Sequence, residues 1–344
     1  MVRDHPGRAV IWSFVLVPDT QYLATPANGW TSYFNGLRDW IIDNADVHNI
    51  RFIGGLGDIV DLNGDTASWA NAKTALTPLF DLDIPVLLFA AGNHDTDEVA
   101  QPSRDHDLYN ATFPEYLYQN ESWFGGVYET GNAQNMYART DIGAHKYLLF
   151  ALEFYPRDGV LDWVSDVVAA HPDDRVVIVT HAYLHDTGAR DTWATTPYGA
   201  DTYFTEGVDD ANPGDDMWTG WFTTFPNLCG VFNGHYIGGG NVAYDLDTGT
   251  AGNTVLQGFY NWQQSANGGA GRVVLMTVDD VAGTIRHRVV RTDTDTFESG
   301  TNYDVTHQVW TATVPAAADL SAVDVAGTLH TIDHAGLSTV HLGS

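Results

Sequence analysis

Five polar clusters, each just past the carboxyl end of a short apolar run, constrain this chain more than any other feature. Asp19-Thr20-Gln21 follows residues 10–17, Gly57-Asp58-Ile59-Val60-Asp61 follows residues 50–56, and Gly92-Asn93-His94-Asp95 follows residues 85–90. His181 closes the run 175–180, and Gly234-His235 closes the run 228–233. Short runs rich in β-branched residues read as buried strands. Between the first two, Trp30, Phe34, Leu37 and Ile41 recur at helical spacing; between the next two lies a helix-like segment holding Trp69, Leu76 and Phe80. Strand–helix alternation predicts βαβ units and a largely parallel sheet in the first 90 residues. In such α/β sheets ligands bind at the carboxyl edge, so a parallel sheet brings these distant clusters together.

Further along, residues 146–152 read as a strand, 160–170 as a helix and 218–225 as helical. After Gly238 the runs 242–246, 254–259, 272–278 and 284–290 are short strands between Gly and Asp turns, which predicts a second, more antiparallel sheet. Residues 101–137, rich in Tyr, Asn and Gly without a clear period, read as a long surface excursion near the site. One domain over residues 1–310 and a C-terminal extension over 311–344 is the expected division. No apolar stretch reaches the length of a membrane span. The run 9–17 has the length of a signal-peptide core but lacks a clear cleavage site, so the expectation is a cytoplasmic or particle-associated protein. Cys229 stands alone, so no internal disulfide can form.

Against 44 acids there are 15 bases, a formal charge of −29 over 344 residues. Long nucleic acids and anionic membrane surfaces need a cationic partner, so both are argued against. A small phosphate ester is compatible, provided cations stand between it and the protein. Carboxylates, an amide oxygen and imidazoles gathered at one edge suit one or two borderline-to-hard divalent ions: Mn, Fe, Zn or Mg. The glycines before Asp58, Asn93 and His235 fit turns in which backbone passes close to metal and substrate.

Taken in order, these motifs strongly resemble the calcineurin-like metallophosphoesterases over roughly residues 10–292. The Asp-x-(His) position falls at Asp19 to Gln21, GDxxD at Gly57 to Asp61, GNHD at Gly92 to Asp95, the lone His at His181 and the Gly-His pair at Gly234-His235. The first motif reads Asp-Thr-Gln, and with Asn261-Trp262-Gln263 before a strand it is similar to one branch of that family. The resemblance implies an α/β fold of two mixed β-sheets packed as a sandwich flanked by helices, the four-layer αββα arrangement. It implies that Asp58 bridges two metals, that Asp19 binds the first, and that Asn93, His181 and His235 bind the second. His94 would face the leaving-group oxygen with Asp61 holding its ring. An imidazole, titrating near neutrality, suits that acid role.

Two positions depart from the family pattern. Gln21 and Ile237 stand where histidines are usual, which leaves the first metal Asp19, Asp58 and the Gln21 amide oxygen. His185 is a weaker candidate to make up the set. The expected function is hydrolysis of a phosphomonoester or phosphodiester by water activated on the cations. The alternative from another class is a binding or structural component that keeps the fold with a degenerate first site. Trp123, Phe124, Tyr128, Trp193, Tyr198 and Tyr203 are candidates to wall a substrate cleft.

Thirty-seven Asp against two Lys also fit life in concentrated salt, where self-repulsion is screened within about 3 Å at 1 M. The expected outcome is a melting temperature that rises between dilute buffer and molar KCl, followed by circular dichroism.

Overall fold

The computed structural model describes residues 11–87, 90–96 and 104–310. In chain order the first strands are β1 (Ile11–Val17), β2 (Ile50–Gly55), β3 (Val86–Leu87), β4 (Phe124–Glu129), β5 (Asn132–Ile142), β6 (His145–Ala151) and β7 (Arg175–Val179). They are followed by β8 (Leu228–Asn233), β9 (Val242–Thr248), β10 (Thr254–Tyr260), β11 (Arg272–Asp279), β12 (Thr284–Arg291), β13 (Thr296–Phe297) and β14 (Asp304–Gln308). The helices are α1 (Gln21–Ala24), α2 (Thr31–Asn44), α3 (Thr66–Leu76), α4 (Asp107–Thr112), α5 (Asp158–Ala170) and α6 (Gly214–Gly220). Position 10 of the first run, positions 88 and 89 of the third, residues 101–103 of the excursion and the 311–344 extension with its boundary lie outside the described residues.

These strands form two mixed seven-stranded sheets. One runs β13-β12-β11-β1-β2-β3, with β14 also on β12; the other runs β4-β5-β6-β7-β8-β10-β9. β1, β2 and β3 are parallel, as the βαβ alternation predicts, and so are β6, β7, β8 and β10.

The sheets stack through alternate residues of their strands. Phe14 on β1 meets Phe52 on β2 at 5.7 Å and Phe232 on β8 at 5.8 Å between ring centroids. Trp12 packs edge-on against Tyr147 on β6 at 4.9 Å. Tyr147, Leu149 and Ala151 of β6 belong to this inner layer, whereas Leu148 and Phe150 join Val160, Leu161 and Val164 of α5 outside the second sheet. Both faces of these strands are covered, which is why they read as continuous apolar runs rather than alternating ones. Phe34, Leu37 and Ile41 of α2 are buried at the helical spacing seen in the sequence. Asp65 starts α3 by accepting from Ala67 N at 3.0 Å, a conventional N-cap. Among the described residues no helix is long and apolar enough to cross a membrane.

Two expectations are corrected. The last four runs do not make a separate antiparallel sheet. β9 and β10 extend the sheet of β8, while β11 returns to flank β1, antiparallel to it, and β12 pairs antiparallel on the far side of β11. Nor is 101–137 a surface excursion as a whole: it contains α4, β4 and the start of β5, which pair as a hairpin on the edge of the second sheet. The pattern was hidden because β5 buries polar side chains. Asn135 exchanges hydrogen bonds with Glu153, donating from Nδ2 at 2.8 Å and accepting from its backbone N–H at 2.9 Å. Gln134 accepts from Asn110 at 3.0 Å. Satisfied amides take core positions without leaving a hydrophobic period.

Truncating Phe14 should leave a cavity between the sheets. Phe14→Ala is expected to lose about 3–5 kcal/mol of unfolding free energy, read from the urea midpoint.

Candidate metal centre

The five clusters do converge, although from two sheets rather than one. Asp19, Asp58 and Asn93 follow β1, β2 and β3, while His181 and His235 follow β7 and β8. The facing sheets present their parallel carboxyl edges on the same side, so the site forms across the sandwich.

Local backbone aims these side chains. Gly57 at φ +97° and Asp58 at φ +49° turn the chain sharply out of β2, and His235 sits at φ +76°. Positive φ at a non-glycine residue costs on the order of 1–3 kcal/mol and is a feature of functional sites. A Cβ on Gly92 would lie 2.2 Å from Asp58 Oδ1, and one on Gly234 2.0 Å from Asp19 Oδ1. The carboxylates thus occupy space that only glycine leaves.

The central atoms meet around His181 Nε2. Asp58 Oδ1, Asn93 Oδ1 and His235 Nδ1 each lie 3.2 Å from it. The ligand atoms of Asp58, His181 and His235 all fall within 4.8 Å of one another, and all three residues are buried. The other ring nitrogens fix the tautomers. His181 Nδ1 donates to Leu56 O at 2.7 Å, and His235 Nε2 donates to Tyr198 O at 3.0 Å. A carbonyl can only accept, so in the neutral rings His181 Nε2 and His235 Nδ1 present lone pairs. Two imidazole lone pairs, a carboxylate and an amide oxygen therefore point at one region. With both rings neutral this arrangement repels itself, and either a proton or a cation reconciles it.

The titration behaviour has the same cause. Burial opposes charge on His181, but the Asp58 carboxylate overrides it and pushes the imidazole up to about 9. Burial and the neighbouring His181 push His235 down to about 3. Despite burial, His181 and His94 hold Asp58 below the usual carboxylate range. Burial raises Asp19 well above that range, against the pull of His181 and with the Asp58 charge adding to the rise. A single proton on His181 thus sits where a divalent cation would let both carboxylates ionise.

Asp19 lies beside this cluster, its Oδ2 accepting from His235 N at 3.1 Å and Asn261 Nδ2 at 2.7 Å. Gln21 opens α1; its Nε2 donates to Gln263 Oε1 at 2.8 Å, and its buried Oε1 has no hydrogen-bond partner. An orphaned buried oxygen two residues along the chain from Asp19 fits a bound cation or its water. His94 donates its backbone N–H to Asp58 Oδ1 at 3.0 Å, while its ring Nδ1 lies 2.6 Å from Asp61 O and 3.7 Å from Asp61 Oδ1. The Asp61 contact to the ring is therefore chiefly a main-chain one. His185 is tied instead to Asp186 at 2.6 Å and packs on Tyr236.

Some participants carry no side-chain signal in the sequence: Leu56 and Tyr198 act through carbonyls. Asp95, by contrast, lay inside GNHD and braces the loops, accepting from Ile59 N and Gly92 N, each at 2.9 Å. Phe154 packs on His235 at 5.0 Å and His181 at 5.5 Å, and was not singled out. Of the proposed aromatic wall, Tyr203 reaches the site, 5.5 Å from the His235 ring. Trp123 is buried in the core, Tyr128 packs on Trp163, Trp193 donates to Asp216, and Phe124 packs against the core cluster.

A family model described as calcineurin-like phosphoesterase matches residues 13–239. The chain is 27% identical over 283 residues to an uncharacterized protein of Bacillus subtilis, YvnB, covering 81% of this chain and 20% of the relative. It therefore spans about a fifth of that relative's length. Among solved structures it is similar to a purple acid phosphatase from yellow lupin seeds, at 12% identity and a TM-score of 0.49, covering 86% of this chain and 54% of that one. It is also similar to GAP50 of Plasmodium, at 9% identity and a TM-score of 0.45, covering 88% of this chain and 89% of that one.

Gly92→Ala tests the cradle at a φ of −82° that any residue adopts, the added methyl meeting both the Asp58 carboxylate and the Asp58 backbone nitrogen. The added methyl must displace the Asp58 carboxylate, so Mn²⁺ affinity should fall about 10–100-fold in equilibrium dialysis while far-UV circular dichroism stays native.

Proposed function

The chain belongs to the calcineurin-like phosphoesterase family, and on that premise we propose that it hydrolyses a small phosphomonoester or phosphodiester using two divalent cations. The observation that carries this reading is the convergence of lone pairs from Asp58, Asn93, His181 and His235 at the joint edge of the sheets. Asn93, His181 and His235 would hold one ion, Asp19 and Gln21 the other, with Asp58 shared. Mn, Fe, Zn or Mg bound there would supply charge neutralisation for the phosphoryl oxygens and a lowered pKa for attacking water.

The chain's own residues supply position and a proton. His94 is about a quarter exposed and its backbone N–H is bonded to Asp58 Oδ1, so its ring, at the mouth of the site, would reach a bound ester. Its Nδ1 hydrogen is held by Asp61 O, which makes Nε2 the nitrogen that exchanges a proton with substrate. As an imidazolium, His94 gives the Nε2 proton to the leaving-group oxygen as the P–O bond breaks, and the Nδ1 hydrogen stays on the ring, donated to Asp61 O. Phe154 and Tyr203 shield the histidines from water on the other side. Phosphoryl transfer asks mainly for such positioning and for charge compensation.

A cavity of about 230 Å³ adjoins Asn261 and is lined by Tyr236, Ile237, Asn241, Gln264 and Ser265. Its lining is uncharged and largely polar, which suits a small hydroxylated leaving group. The −29 charge of the chain supports the same small-substrate class.

Mn²⁺-loaded protein is expected to cleave p-nitrophenyl phosphate or its bis ester. His94→Ala should lower kcat about 10²–10⁴-fold with metal content unchanged by elemental analysis. No turnover with Mn²⁺, Zn²⁺, Fe²⁺ or Mg²⁺ would favour a non-catalytic binding role instead.

A further inference from the structure

We infer that Gln263 positions Gln21 as an oxygen donor to the first cation, so that the segment after β10 completes the position that lacks two histidines. The inference rests on the cation-binding reading of the Asp58 cluster. It concerns residues of this chain that depart from the motif, namely Gln21 and Ile237, and Gln263 of the Asn261-Trp262-Gln263 segment, to which the resemblance assigns no role.

A chain of hydrogen bonds links Asp19 to Gln21 through the residues that follow β10. Asn261 Nδ2 donates to Asp19 Oδ2 at 2.7 Å and to Tyr236 O at 3.3 Å. Both are acceptors, so the amide orientation of Asn261 is fixed and its Oδ1 faces away. That oxygen accepts from the backbone N–H of Gln263 at 2.9 Å. Gln263 Oε1 in turn takes the Nε2 hydrogen of Gln21 at 2.8 Å. The acceptor offered by Gln263 holds the NH₂ end of Gln21, which leaves Oε1 as the free end. That oxygen is buried and has no donor. Gln21 is 1% exposed and Gln263 5%, so bulk water does not compete for the amides.

The donor sets of the two positions differ in chemistry. Asp19, Asp58 and Gln21 offer only oxygen, whereas the other position adds two imidazole nitrogens from His181 and His235. Oxygen sets suit hard cations such as Mn²⁺ and Mg²⁺, and imidazole suits Zn²⁺ or Fe²⁺. Gln263 thereby acts as a positioning residue that makes the first position hard.

The test loads the full chain with Mn²⁺, removes free metal, and counts ions by elemental analysis alongside electron paramagnetic resonance. The unmodified chain should keep two ions with a spin-coupled signal, since Asp58 is shared. Gln263→Ala and Gln21→Ala should each keep one ion with an isolated-ion signal, the lost ion binding at least tenfold more weakly. Gln263→Glu still offers Gln21 an acceptor and should keep two. Retention of two coupled ions by both alanine variants overturns the inference, and so does loss of both ions in either. If Gln263→Ala does not fold, loss of an ion in Gln263→Glu, or none in Gln21→Ala, overturns it. One ion in the unmodified chain, dependent on His181 but not on Gln21, overturns it and leaves the phosphoesterase reading standing. No ion at all overturns both.

Discussion

Lone pairs that face one another in a buried space set the terms for the rest of this structure. Asp58, Asn93, His181 and His235 meet at 3.2 Å spacings around one imidazole nitrogen. Two backbone carbonyls, Leu56 O and Tyr198 O, take the one hydrogen that each neutral ring carries, so only an added proton or a cation relieves the conflict. A protein optimised for stability alone would not turn both imidazoles this way, because buried polar atoms are normally paired with opposite partners. The backbone strain at Asp58 and His235 lies in the same place. Both features are costs of folding that a bound cation would offset, which would tie site geometry to stability as well as to chemistry.

The sandwich explains how a chain this acidic assembles such a site. The aromatic layer of Trp12, Phe14, Phe52, Tyr147 and Phe232 locks the two sheets face to face. Locked in that way, the carboxyl edges of β1, β2 and β3 oppose those of β7 and β8. Neither edge alone holds the set: the first sheet supplies carboxylates and amides, the second both imidazoles. Stability of the core and precision of the site are thus the same packing problem viewed at two depths.

What could be read from the chain follows from where information is stored. Strand-end positions of Asp19, Asp58, Asn93, His181 and His235 were legible because each apolar run is covered on both faces and ends in a polar cluster. The strand β5 was not, because Gln134 and Asn135 sit buried on their partners Asn110 and Glu153, and a satisfied amide erases hydrophobic periodicity. The pairing of β11 with β1 was also illegible, since an antiparallel return across more than 250 residues leaves no local trace. Within the site, side chains were legible and carbonyls were not. Asp61 shows the difference: its place beside His94 was foreseeable, but its main-chain oxygen makes the short contact.

The departures at Gln21 and Ile237 then acquire a physical reading. Replacing imidazole by carboxamide exchanges a nitrogen donor for an oxygen donor of weaker basicity, and in the proposed site the other donors to that ion would be the carboxylates of Asp19 and Asp58. Once a cation lets both ionise, Asp19 and Asp58 would carry the charge needed to hold a hard ion, so the third donor would have only to be correctly aimed. Aim is what an amide on a flexible stem lacks, and what a buried partner such as Gln263 provides. A site whose charge comes from carboxylates and whose direction comes from amides needs no lysine or arginine to meet an anionic ester. That is the condition a chain with a formal net charge of −29 has to satisfy.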